Sequence, residues 1–145
     1  MKKILLILFL GLLIVATGYT QCGKKITWTA SKAEFMDDSG KVAETKDVKV
    51  IIRTSGQRIH ITHSDDETDT LSGPVKDVQC IWKEAYKNGK TTFKADLSER
   101  NGTYSGSTMT IEAKDSKIQI DLSFEGPDGS KKHIRIPVEG YKEEK

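Results

Sequence analysis

From Lys25 onward, apolar and polar side chains alternate with a period of two, and the alternation restarts roughly every 8 to 12 residues after a short run of Gly, Asn, Asp or Ser. No window sustains a helical period. The turn residues cluster at Asp37-Asp38-Ser39-Gly40, Ser55-Gly56, Asn88-Gly89, Asn101-Gly102, Asp115-Ser116 and Asp128-Gly129, each suited to a tight reversal. The pattern predicts about eight strands, near residues 26–36, 42–53, 58–63, 78–87, 91–97, 103–113, 117–124 and 131–138.

Directly opposed residues in a hairpin share a face, so each turn length can be tested against the apolar pattern. A two-residue loop at Asp115-Ser116 pairs Ala113 with Ile118, Ile111 with Ile120 and Met109 with Leu122, apolar throughout. The next reversal needs three residues, Pro127-Asp128-Gly129, to set Leu122 opposite Ile134 and Ile120 opposite Ile136, with Gly129 in the left-handed bulge position. A loop at Ser55-Gly56 sets Ile52 opposite Ile59, Val50 opposite Ile61 and Val48 opposite His63. A loop at Asn88-Gly89 sets Tyr86 opposite Thr91, Glu84 opposite Phe93, Trp82 opposite Ala95 and Cys80 opposite Leu97.

Strands with one apolar face each must close on themselves or pack as two sheets. Neighbour-to-neighbour hairpins favour an all-β, single antiparallel domain built as an up-and-down barrel or half-barrel, with a β-sandwich as the alternative. The long polar stretch 63–77, with its acidic run at 65–69, is where a crossover would break the meander and yield the sandwich.

The first residues have a different character. Lys2 and Lys3 precede an apolar run over residues 4–15 interrupted only by Gly11, the pattern of a secretory signal peptide. At about a dozen residues the run is short of the roughly 20 that a spanning helix needs. Ala16 and Gly18 suit a cut before Tyr19, and a cut after Thr20 is the second choice. The organisation is thus signal peptide 1–20, β domain 21–140 and a loose charged tail 141–145, with no membrane span in the mature chain. Export to the periplasm or the extracellular space is expected. Gln21 stands where a lipobox has a small residue, which argues against lipid anchoring at Cys22.

Two of the 23 basic residues, Lys2 and Lys3, belong to the leader, so the rest are balanced by the 21 acidic ones. No basic footprint for nucleic acid remains. Two cysteines, Cys22 and Cys80, in an exported chain suggest one disulfide pinning the start of the domain to its middle.

Few residues invite chemistry. His60, His63, Asp65, Asp66, Glu67 and Asp69 are the densest group of metal-ligand types, with His63, Asp65 and Asp66 the candidates. His60 and His63 are three apart on a strand and face opposite ways, and the acidic run lacks the spacing of a calcium loop. No metal or other cofactor is expected. Glu84 interrupts the apolar row between Trp82 and Tyr86. Buried, its carboxylate would fix the polar end of a ligand; at a strand end, it would reach water. No serine or cysteine stands in a nucleophile motif. Asn101-Gly102-Thr103 matches a glycosylation sequon.

The strand arrangement resembles lipocalin-like barrels, although the segment from Gly23 to Trp28 lacks their short glycine-to-tryptophan spacing. The expectation is a non-enzymatic binding protein taking a small, largely apolar ligand in the barrel mouth through Trp82, Glu84 and Tyr86. The alternative is a protein-interaction or cell-envelope structural module, working through an exposed sheet face with outward Thr92, Thr108 and Thr110.

Overall fold

The computed structural model describes residues 22–63, 70–126 and 128–145. The expected signal peptide, Asp65, Asp66 and Pro127 lie outside them. The strands are β1 (Ile26–Met36), β2 (Val42–Thr54), β3 (Arg58–His63), β4 (Thr70–Glu84), β5 (Asn88–Glu99), β6 (Gly102–Lys114), β7 (Lys117–Glu125), β8 (Lys131–Pro137) and β9 (Gly140–Glu143). Each of β1 to β7 pairs antiparallel with the next, and β1 pairs with β8, which closes an eight-strand barrel. The barrel, not the sandwich, is the architecture. β3 and β4 are direct neighbours, Thr62 opposite Thr70 through Arg58 opposite Pro74, so the 63–77 stretch does not cross over. Most of its second half is strand, because Leu71 and Gly73 continue the inner row opposite Ile61 and Ile59.

The β6–β7 and β7–β8 registers follow the apolar pattern as expected: Met109 opposite Leu122, Ile111 opposite Ile120, Leu122 opposite Ile134, Ile120 opposite Ile136. Gly129 adopts a φ of 79° in the expected left-handed position.

Two registers differ. At the β2–β3 turn Thr54 pairs with Ile59, Ile52 with Ile61 and Val50 with His63, a slip of two residues that keeps every side chain on its expected face. Ser55 drives it: its Oγ accepts the Arg58 N–H at 3.0 Å while its own N–H reaches the Arg58 carbonyl at 3.0 Å, and this widens the loop.

The β4–β5 reversal falls at Ala85-Tyr86-Lys87, not at Asn88-Gly89, so Trp82 lies opposite Gly89, Cys80 opposite Thr91 and Val78 opposite Phe93. The glycine is needed for contact with the facing strand: at φ 136°, an added Cβ would sit 2.3 Å from the Ile81 carbonyl oxygen and 2.7 Å from the Trp82 Cα. Tyr86, with φ 56°, makes the left-handed turn instead.

The tail expected to be loose is also corrected. Gly140–Glu143 pairs with Thr29 back to Ile26 as β9, and it takes over the edge of β1 where β8 ends at Pro137, a residue with no N–H to donate.

The core runs the length of the barrel, from Ile26 and Trp28 through Ile52, Ile59 and Leu97 to Met109, Ile120 and Leu122. A bulge between Ala30 and Lys32 shifts the inner row of β1 from even to odd positions, bringing Ala33 and Phe35 inside. β3 begins at Arg58, opposite Pro74, so among the described residues Lys76 to Glu84 pair only with β5. The resulting seam is bridged by the segment leading into β1: Cys22 is disulfide-bonded to Cys80, their Cα atoms 5.8 Å apart, and Gly23 lies against Gly56 of the β2–β3 turn.

Candidate functional site

The two barrel ends are built differently. At the end where β1 begins and β2 finishes, aromatic rings fill the interior. The Tyr86 ring packs edge-on to Trp28 at 5.6 Å and to Trp82 at 5.4 Å, and Tyr141 of β9 covers it at 5.1 Å. The indole N–H of Trp28 donates to Thr54 Oγ1 at 3.0 Å, and that of Trp82 to Thr91 Oγ1 at 2.8 Å. The space left among them is about 10 Å³, at most one water. Tyr86 is buried, and burial, reinforced by the charges of Glu143 and Tyr141, pushes its hydroxyl up to about 12.

Trp82 and Tyr86 therefore meet, but in a plug. Glu84 does not join them: it is exposed, and its carboxylate accepts a hydrogen bond from the ammonium of Lys87 across the turn. The residue that breaks the alternation does so because the strand ends there and its side chain reaches water.

The opposite end is hollow. A cavity of about 350 Å³ opens where β1 finishes and β2 begins, walled by Ala33 and Phe35 of β1, Val48 and Val50 of β2, Ile61 of β3, Leu71 of β4, Tyr104 of β6, Leu122 and Phe124 of β7, and Ile134 and Ile136 of β8. This falls within the range of small-molecule sites. Its rim carries Lys46, His63, Glu99 and Lys132. Each ends an inward apolar row: Val50, Val48, Lys46 on β2; Ile59, Ile61, His63 on β3; Ala95, Leu97, Glu99 on β5; Ile136, Ile134, Lys132 on β8. That repeated ending, apolar at every second position and then titratable, was the sequence signal for an open end.

The rim is polarised. Lys46 and Lys132 lie on the two strands that flank β1, with the Lys46 ammonium 4.9 Å from the centre of the Phe35 ring. Glu99 is on β5, across the ring of strands from β1, and accepts the Tyr104 hydroxyl. His63 lines this cavity, and among the described residues no three His, Cys, Asp or Glu side chains gather as a metal site.

Two larger depressions lie on the outside. One, of about 560 Å³, runs from Met36 to His133; the other, of about 600 Å³, follows the seam beside Cys22, Gly56 and Ile81. Both are open to solvent, whereas the interior cavity is continuous with the core. No helix among the described residues is long and apolar enough to cross a membrane.

The chain is thus an antiparallel β-barrel stapled by a disulfide, plugged at one end and hollow at the other. No protein-family model, curated protein or solved structure matches it.

Proposed function

We propose that the protein is an exported, non-enzymatic carrier or receptor that holds a small, largely apolar molecule in the open end of its barrel. The observation that carries this reading is the apolar cavity of about 350 Å³ beside a core that is otherwise closely filled. Interiors pack with few voids larger than a water molecule, so an apolar space of this size at a mouth is suited to a ligand. On this reading the ligand enters beside Lys46 and Lys132 rather than at Trp82, Glu84 and Tyr86. A disulfide fits an oxidising compartment, periplasmic or extracellular.

The test is titration with the neutral fluorescent probe N-phenylnaphthylamine. One probe is expected to bind per chain, with Ala33→Trp, which fills the cavity from β1, weakening binding at least tenfold and Ile81→Lys, on the outer seam, leaving it unchanged. Undiminished binding to Ala33→Trp would place the probe elsewhere and sink the reading.

A surface-acting module is the second reading, and the unpaired edge of β4 favours it. Ile81 there is 68% exposed, and the Thr92–Thr110 ladder faces outward alongside. In an antiparallel pairing of two copies centred on Cys80, Asp77 of each would meet Lys83 of the other. This reading requires a dimer in solution that Ile81→Lys dissociates.

A further inference from the structure

The mouth of the cavity specifies one end of the ligand. We propose, resting on the reading of the cavity as a ligand site, that the barrel takes single-chain carboxylates, with the alkyl chain against the apolar wall and the carboxylate between Lys46 and Lys132. Three observations converge on this class.

The first is the distribution of charge. Both ammonium groups belong to the strands flanking β1, and both end inward rows, Val50-x-Val48-x-Lys46 and Ile136-x-Ile134-x-Lys132. The rim's carboxylate, Glu99, is on the far side of the ring and is already hydrogen-bonded by Tyr104. A ligand anion entering beside β1 meets two cations, of which Lys46 also forms an exposed ion pair with Glu44 at 3.6 Å, while a ligand cation meets Glu99, already hydrogen-bonded by Tyr104. A carboxylate between the two ammonium groups accepts charge-assisted hydrogen bonds that a hydroxyl or a trimethylammonium head group cannot match.

The second is the wall. Below the rim, Phe35, Val48, Leu122 and Ile134 offer no hydrogen-bonding side-chain group, which suits an alkyl chain better than a sugar.

The third is size. A space of about 350 Å³ holds about a dozen non-hydrogen atoms at the roughly 30 Å³ each takes in a liquid. That suits one medium-length chain and is too small for a two-chain lipid.

Calorimetric titration of the disulfide-bonded protein, below each amphiphile's micelle concentration, separates head group from chain. Dodecanoate, dodecanol and dodecyltrimethylammonium share a twelve-carbon tail and differ in charge. Dodecanoate is expected to bind at least tenfold more tightly than dodecanol, and the ammonium compound most weakly. The double exchange Lys46→Glu with Lys132→Glu should reverse the order of the two charged ligands. The milder pair Lys46→Gln with Lys132→Gln should bring dodecanoate and dodecanol together. Both pairs alter residues at the exposed rim, and near-ultraviolet circular dichroism checks that the fold is kept.

Equal affinity for dodecanoate and dodecanol in the native protein would overturn the head-group assignment and leave the cavity reading standing. Failure of all three to bind would overturn both.

Discussion

Replacing Cys22 and Cys80 together with serine is expected to lower the stability of the fold by about 4 kcal/mol, the loop-entropy value for a bridge of this span. The two cysteines are 58 residues apart in sequence, so the bridge removes a large set of unfolded conformations. It has a second, local role. β4 outruns β3 beyond Pro74, and the seam this leaves is bridged by Cys22 and Gly23. Without the bond, the segment leading into β1 is held there only by contacts such as Gly23 against Gly56 and the ion pair of Lys24 with Glu143 of β9. Exposed ion pairs of this kind contribute little. Thermal unfolding followed by circular dichroism should show a midpoint lower by on the order of 15 °C. A fall of only a degree or two would mean that the segment stays docked without the bond and that the unfolded chain gains little freedom.

Trp28→Ala is expected to cost a similar amount, about 3 to 5 kcal/mol. Trp28 is 2% exposed and lies at the centre of the closed end, against Tyr86 and Tyr141. Its removal leaves a void that the closed barrel cannot readily collapse around and takes the indole partner from Thr54 Oγ1, a buried hydroxyl. Trp28→Phe keeps most of the packing and should cost well under half as much. Urea denaturation reads both variants, because Trp82 remains as a fluorescent reporter. The alanine variant should still bind probe at the other end under conditions where it is folded. A variant as stable as the native protein would contradict the description of this end as a packed plug.

Much of the architecture could be read from alternation. The inner rows of β6, β7 and β8 alternate so cleanly that one register satisfies Met109, Ile111, Ile120, Leu122, Ile134 and Ile136 together. Any slip by one residue would turn those side chains outward.

Where the reading failed, a turn residue had another use. Gly89 reads as half of an Asn-Gly turn, yet it is a strand residue that allows close contact with Trp82. Tyr86 takes the left-handed position usually left to glycine because its ring is anchored between two tryptophans. Ser55 was legible as a turn former but not as one whose hydroxyl widens the loop by capping Arg58.

Glu84 does not join Trp82 and Tyr86 for the same reason. Trp82, Glu84 and Tyr86 were grouped by a parity that holds only if the strand runs on through Tyr86. The strand stops at Glu84, and the chain folds Tyr86 back under the barrel as a plug. The hollow end was written in the rows that finish in Lys46, His63, Glu99 and Lys132, but that signal emerges only when strands far apart in sequence are aligned by barrel position. The bulge after Ala30, which brings Phe35 to the cavity wall, leaves no mark in the alternation strong enough to be read alone.

One end of this barrel is a filled plug, and the other is the cavity proposed to hold a ligand. Methyl-resolved NMR during titration with dodecanoate tests it most directly, since valine, leucine and isoleucine methyls mark both ends. Saturable shifts are expected at Val48, Val50, Leu71, Leu122 and Ile134, with Ile26 and Ile111 at the plugged end unmoved. Shifts confined to Val78 and Ile81 on the outer seam, or a spectrum unchanged throughout, would contradict it.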